Sequence, residues 1–179
     1  MVAKLTVTTK DIVLMGIGAA MYAIFGSATF FIPVGGVSLR PAIALVSFFG
    51  AMYGPIVGFV VGALGNLLLD FTWGSFWWNW DVGVGIIGLF PGIWWYLRGG
   101  EIETPKDLAM VSIFGVIGCV IGLFFAGVID VITGTPFDVA IYGWVVPAVV
   151  TDAIFIIILT PLFIQAVNAS KPKLLAEEE

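Results

Sequence analysis

The chain has no histidine and a single cysteine among its 179 residues, and only 11% of them are charged. Without histidine the commonest general base and metal ligand is missing, so no Ser/His or Cys/His pairing can be assembled and no metal-ligand cluster appears. Cys119 stands alone inside an apolar run, which excludes an intrachain disulfide and a cysteine metal site. No G-x-x-x-x-G-K-[ST] phosphate loop is present, so any ATP-driven work needs a partner. Basic residues number seven against twelve acidic ones, and they do not cluster, so nothing here neutralises a nucleic-acid backbone. Catalysis and nucleic-acid binding are both disfavoured, and no cofactor is expected.

What is abundant is apolar surface. Sixty per cent of the residues are hydrophobic, 23 are glycine and the mean hydropathy is +1.12, beyond the range of soluble domains. The composition predicts an all-α membrane protein, because backbone in a bilayer must satisfy its own hydrogen bonds and the runs do not alternate as barrel strands do. Six apolar runs predict helices at about 11–32, 41–53, 56–70, 81–97, 107–129 and 139–167, in one transmembrane domain over 1–179. The first run follows Lys4 and Lys10, is too long for a signal-peptide core and is read as a retained span. The second and third fall short of the roughly 20 residues that cross a bilayer. They are two short helices broken at Gly54-Pro55 or one kinked span.

Charge placement orients the chain. Six helices with both termini cytoplasmic put Lys4, Lys10, Arg98, Lys106, Lys171 and Lys173 inside and leave Arg40 outside. A five-span arrangement fits less well. Both place the segment from Asn66 to Asp81 outside, together with Asp130 and Asp138, which are read as solvated residues flanking a Gly/Pro turn.

That segment holds four of the seven tryptophans, Trp73, Trp77, Trp78 and Trp80, alternating with Asn66, Asp70, Thr72, Ser75, Asn79 and Asp81. An aromatic belt explains Trp94, Trp95 and Tyr96 at the inner end of the fourth helix, but a belt needs no polar partners. Convergent aromatics with a few hydrogen-bonding groups suit a planar heterocycle, stacking giving affinity and polar edges giving identity. Arg40, and Asp152 deep in the last helix where a carboxylate is costly unless paired or wet, are the expected companions. The turn Pro33-Val-Gly-Gly36 is either a lid over this mouth or an ordinary connection.

Small residues recur at helical spacing: Gly54, Gly58 and Gly62; Gly88 and Gly92; Gly118 and Gly122. Such spacing lets helices approach closely in lipid. Gly16, Ala19, Ala20 and Ala23 make a smooth strip on the first helix, for internal packing or for another membrane protein.

The stretch from Arg40 to Pro55, followed by Gly58, Gly62, Gly65-Asn66, Asp70 and Trp77-Trp78-Asn79-Trp80, resembles the substrate-binding S components of energy-coupling factor (ECF) vitamin transporters, in the riboflavin-type branch. The resemblance runs from about Asp11 to Ile164. It implies a six-helix bundle in the cell membrane, an outward pocket closed by the loop between the first two helices, and an Ala-x-x-x-Ala docking motif that maps onto Ala19 and Ala23. It also implies partners: a transmembrane coupling protein, two ATPase subunits, and a vitamin that is released inside when the subunit topples. Asn66 stands where relatives carry a histidine, and Arg40 and Asp81 depart from the pattern. Riboflavin suits the tryptophans, and a thiamine-like cation suits the excess of carboxylates. A stand-alone channel or secondary transporter using Asp70 and Asp152, or a structural membrane subunit, stays open.

Overall fold

A computed structural model describes residues 6–29 and 31–176, with side chains described as far as residue 170. Lys4 and the terminal glutamates lie outside the described residues, as do the side chains of Lys171 and Lys173. Six α-helices carry most of the described residues: α1 (Thr9–Thr29), α2 (Ile43–Tyr53), α3 (Pro55–Thr72), α4 (Trp78–Leu97), α5 (Pro105–Ile132) and α6 (Val146–Ala176). A π-helical segment, Asp138–Val145, leads directly into α6. Between α1 and α2 the strands β1 (Pro33–Val34) and β2 (Val37–Ser38) pair antiparallel in a small hairpin.

Among the described residues five helices are long and apolar enough to cross a membrane: α1, α3, α4, α5 and the continuous run Asp138–Ser170. The sixth, α2, has 11 residues and is about 17 Å long at ordinary helical rise, roughly half the hydrocarbon thickness. The choice left open at Gly54-Pro55 resolves into two helices. Gly54 has φ +99°, a conformation that side chains resist, and Pro55 opens α3 where its missing N–H costs nothing.

The glycine columns explain why these helices sit so close. A Cβ at Gly58 would collide with the Gly88 carbonyl and stand 2.6 Å from Gly50 Cα. One at Gly62 would strike the Val84 carbonyl, and Gly83 and Gly122 block each other's carbonyls in the same way. Helix α4 thus lies against α2, α3 and α5 with backbone touching backbone, the close approach that small residues permit where lipid gives no hydrophobic incentive.

Helix α1 leans on α3. Gly18 abuts Phe49 and Val61, and Gly26 abuts Leu69. Ala19 and Ala23 face this interior seam, 0% and 8% exposed. The i, i+4 spacing defines a stripe, and here that stripe lies along the seam. The exposed glycine and alanine residues of α1 are Gly16, Ala20 and Ala28.

Polar clasps close the ends. At one end Asn79 Nδ2 donates to the Ala126 carbonyl at 2.9 Å and to Asp130 at 2.7 Å, and Trp80 Nε1 donates to Asp130 at 2.7 Å. At the other, Arg98 pairs with Asp107 at 2.7 Å while Thr104 and Asp107 form a capping box on α5.

Candidate functional site

A cavity of about 250 Å³ lies between the hairpin, the end of α3, the start of α4 and the π-helical segment. Trp77, Trp80 and Trp144 supply its aromatic walls, and Arg40, Asn66 and Asp70 supply its strongest polar groups. Ser38 from the hairpin and Ser75 from the turn after α3 line its rim. A larger groove of about 700 Å³ between α5 and α6 carries only Ser112 and Gln165 as polar lining, which suits acyl chains better than a vitamin.

Each wall has a local cause. Asp70 caps the turn that follows α3, its Oδ2 accepting the Trp77 N–H at 3.1 Å, which fixes where the tryptophan-rich segment turns into α4. The Trp77 and Trp144 rings lie 5.7 Å apart and tilted by 54°, an aromatic pair joining the start of α4 to the π-helical segment. The hairpin is pinned over the same place. Gly36 N–H donates to the Gly143 carbonyl at 2.9 Å, and a Cβ at Gly36 would run into Trp144.

Below the rim, Arg40 is 9% exposed and its Nη2 donates to Asp152 Oδ2 at 3.0 Å, with Asp152 fully buried. The pair is monodentate. Arg40 Nε and Asp152 Oδ1 are buried without hydrogen-bond partners. Burial works against the guanidinium charge, but the neighbouring Asp152 carboxylate more than offsets it and keeps Arg40 protonated. A buried pair with an unused donor and an unused acceptor is a place where a ligand or water belongs.

Asn66, 3% exposed, is held from two sides: Tyr22 OH donates to its Oδ1 at 3.1 Å, and its Nδ2 donates to Asp81 Oδ1 at 2.8 Å. Helices α1, α3 and α4 meet in this one bond chain.

Of the residues singled out from the sequence, the structure gathers Arg40, Asn66, Asp70, Trp77 and Trp80 around one cavity. Asp81 and Asp152 stand behind them as hydrogen-bond partners. Trp73 and Trp78, each 49% exposed, do not line it, and Asn79 is spent on the clasp to α5. Asp130, read from the sequence as a solvated turn residue, is buried and holds Asn79 and Trp80. Reasoning from the sequence missed Trp144, Ser38 and Tyr22. Their signal was weak, since an aromatic in an apolar run reads as core or belt and a serine in a loop reads as solvated.

The family model described as "ECF-type riboflavin transporter, S component" matches residues 6–169, and the chain belongs to this family. It is a multi-pass membrane protein. At 36% identity over 135 residues it is similar to a UPF0397 protein of Aliivibrio salmonicida (strain LFI1238), with 72% of this chain and 73% of that relative covered. Its fold is similar to the one in the crystal structure of FolT bound with folic acid, with a TM-score of 0.60, 87% of this chain and 91% of that chain covered, and 17% sequence identity.

Proposed function

We propose that this chain captures a small water-soluble vitamin on the outer side of the cell membrane for an ECF transporter, and that the vitamin carries a planar heterocycle, riboflavin being the first to test. All six helices take part in the membrane bundle, both termini are cytoplasmic, and the cavity opens outward beside the hairpin. Binding and handover are its work; a transmembrane coupling protein and two ATPase subunits supply ATP hydrolysis, and the chain itself catalyses no reaction.

The observation that carries this reading is the cavity itself, with indole rings on its walls and polar groups at its edge. Family membership supports vitamin capture and the coupling partners. Charge bears on the choice of vitamin. Arg40 is the one basic residue of the cavity lining and Asp152 already neutralises it, while Asp70 adds a carboxylate. A ligand with free carboxylates, such as folic acid, meets repulsion there, whereas a neutral ring does not. The same excess of carboxylate supports a second reading, a thiamine-like cation.

The test is to purify the protein, identify by mass spectrometry and visible absorbance whatever accompanies it, and titrate it with riboflavin while following tryptophan fluorescence. Replacing Trp77 and Trp144 by alanine is expected to weaken binding by about 1–3 kcal/mol per lost stacking contact. A protein that carries no heterocycle and whose fluorescence ignores riboflavin and thiamine alike would refute the proposal.

A further inference from the structure

The amide of Asn66 can present either face to the cavity, and its neighbours decide which. Asp81 lies on one side at 2.8 Å, and a carboxylate only accepts hydrogen bonds, so the amide must turn its NH2 group that way. Its oxygen then faces α1, where the Tyr22 hydroxyl donates to it at 3.1 Å. Tyr22 is fully buried, so its hydroxyl has no water to turn to and holds the arrangement. One N–H of Asn66 is spent on Asp81, and the other is left for the cavity that Asn66 lines. Beside it stands Arg40, whose Nη2 is spent on Asp152 and whose buried Nε has no partner. A guanidinium donates and never accepts. Asn66 and Arg40 are therefore oriented as donors, while Asp70 is the carboxylate acceptor of the lining.

We infer that Tyr22 is a positioning residue for ligand recognition: by fixing the Asn66 amide it makes the cavity floor select a heterocycle whose buried edge carries hydrogen-bond acceptors, carbonyl oxygens or unprotonated ring nitrogens. This rests on the reading of the cavity as a vitamin site and narrows its substrate class. A ring of the pyrimidine-dione kind fits that edge. An aminopyrimidine turns an NH2 group toward these two donors and would have to reach Asp70 instead.

The experiment uses the full chain in lipid nanodiscs, titrated separately with riboflavin, whose ring carries a dione edge, and with thiamine, whose ring carries an amino group. The wild-type protein is expected to prefer riboflavin. Tyr22→Phe takes the donor from the Asn66 oxygen and leaves the amide held by Asp81 alone, free to swing out of register, and is expected to cut riboflavin affinity about tenfold while leaving thiamine affinity unchanged or raised. Thr160→Val, which removes a buried hydroxyl bonded to the Ala44 carbonyl away from the cavity, is expected to leave the ratio of affinities alone. Should Tyr22→Phe fail to fold, Asp81→Asn removes the opposite anchor and is expected to lower the same ratio. An unchanged ratio in the folded variant overturns the positioning role while the vitamin site stands. Thiamine preferred by the wild type overturns the acceptor-edge selection. Binding of neither ligand removes the vitamin site and this inference with it.

Discussion

Arg40 and Asp152 share a bond inside a bundle that holds few other charges, and that isolation decides what each substitution does. Removing one partner strands the other in an apolar surround, which costs about 3–5 kcal/mol, whereas an apolar pair of similar volume is close to neutral. Asp152→Ala is thus expected to lower the thermal unfolding midpoint in detergent sharply, and Arg40→Met combined with Asp152→Leu to restore most of it. A midpoint for Asp152→Ala equal to wild type would mean the guanidinium finds water. Arg40 and Asp152 were legible in the sequence because a charge in an apolar run must be explained by a partner. Tyr22 and Trp144 were not, because their roles depend on what stands across the bundle. Asp130 was misjudged for the converse reason: turn chemistry around it looked wet, but Asn79 and Trp80 fold back over it.

At the scale of elements, the sequence showed the glycine columns but not their mates. Gly58 meets Gly88 and Gly83 meets Gly122 across interfaces that spacing alone does not pair. Overpacking such contacts costs typically about 1–3 kcal/mol. Gly88→Ala is expected to destabilise the protein by that order in a thermal melt, while Gly16→Ala, with nothing within 4 Å of its added Cβ, is expected to be neutral. Equal effects from the two would dissolve the distinction between seam and surface. Six helices were expected from apolar runs and the described residues form six α-helices, α5 starting earlier at its Thr104 cap and α6 starting later behind the π-helical segment. The π-helical segment was invisible beforehand. It faces a hairpin whose Gly36 N–H reaches the Gly143 carbonyl, a tertiary bond that no local pattern announces.

For the whole molecule, docking turns on which small residues α1 keeps on its outer face. Small residues on α1 were recognisable, but the buried pair Ala19 and Ala23 serves the seam with α3, leaving Gly16, Ala20 and Ala28 exposed. If α1 carries the coupling surface, Gly16→Leu with Ala20→Leu spares vitamin binding and abolishes ATP-driven uptake in cells or proteoliposomes bearing the coupling subunits. Uptake at the wild-type rate would move the docking surface off this helix. Leucine at Ala19 and Ala23 is expected instead to damage folding itself, seen as a lowered midpoint before any transport assay.

The glycine seam also governs which parts of the molecule are free to move. Where a carbonyl of one helix rests against the Cα of the next, sliding means collision, so α2, α3, α4 and α5 form one stiff plate. Any reshaping of the cavity then falls to the pieces outside that plate, the hairpin and the first turns leading into α6. Among the described residues these meet through one peptide hydrogen bond, Gly36 to Gly143, and through Trp144 and Pro147 packed against Gly36 and Gly35, so their separation moves the Trp144 wall and leaves the α3 and α4 walls in place.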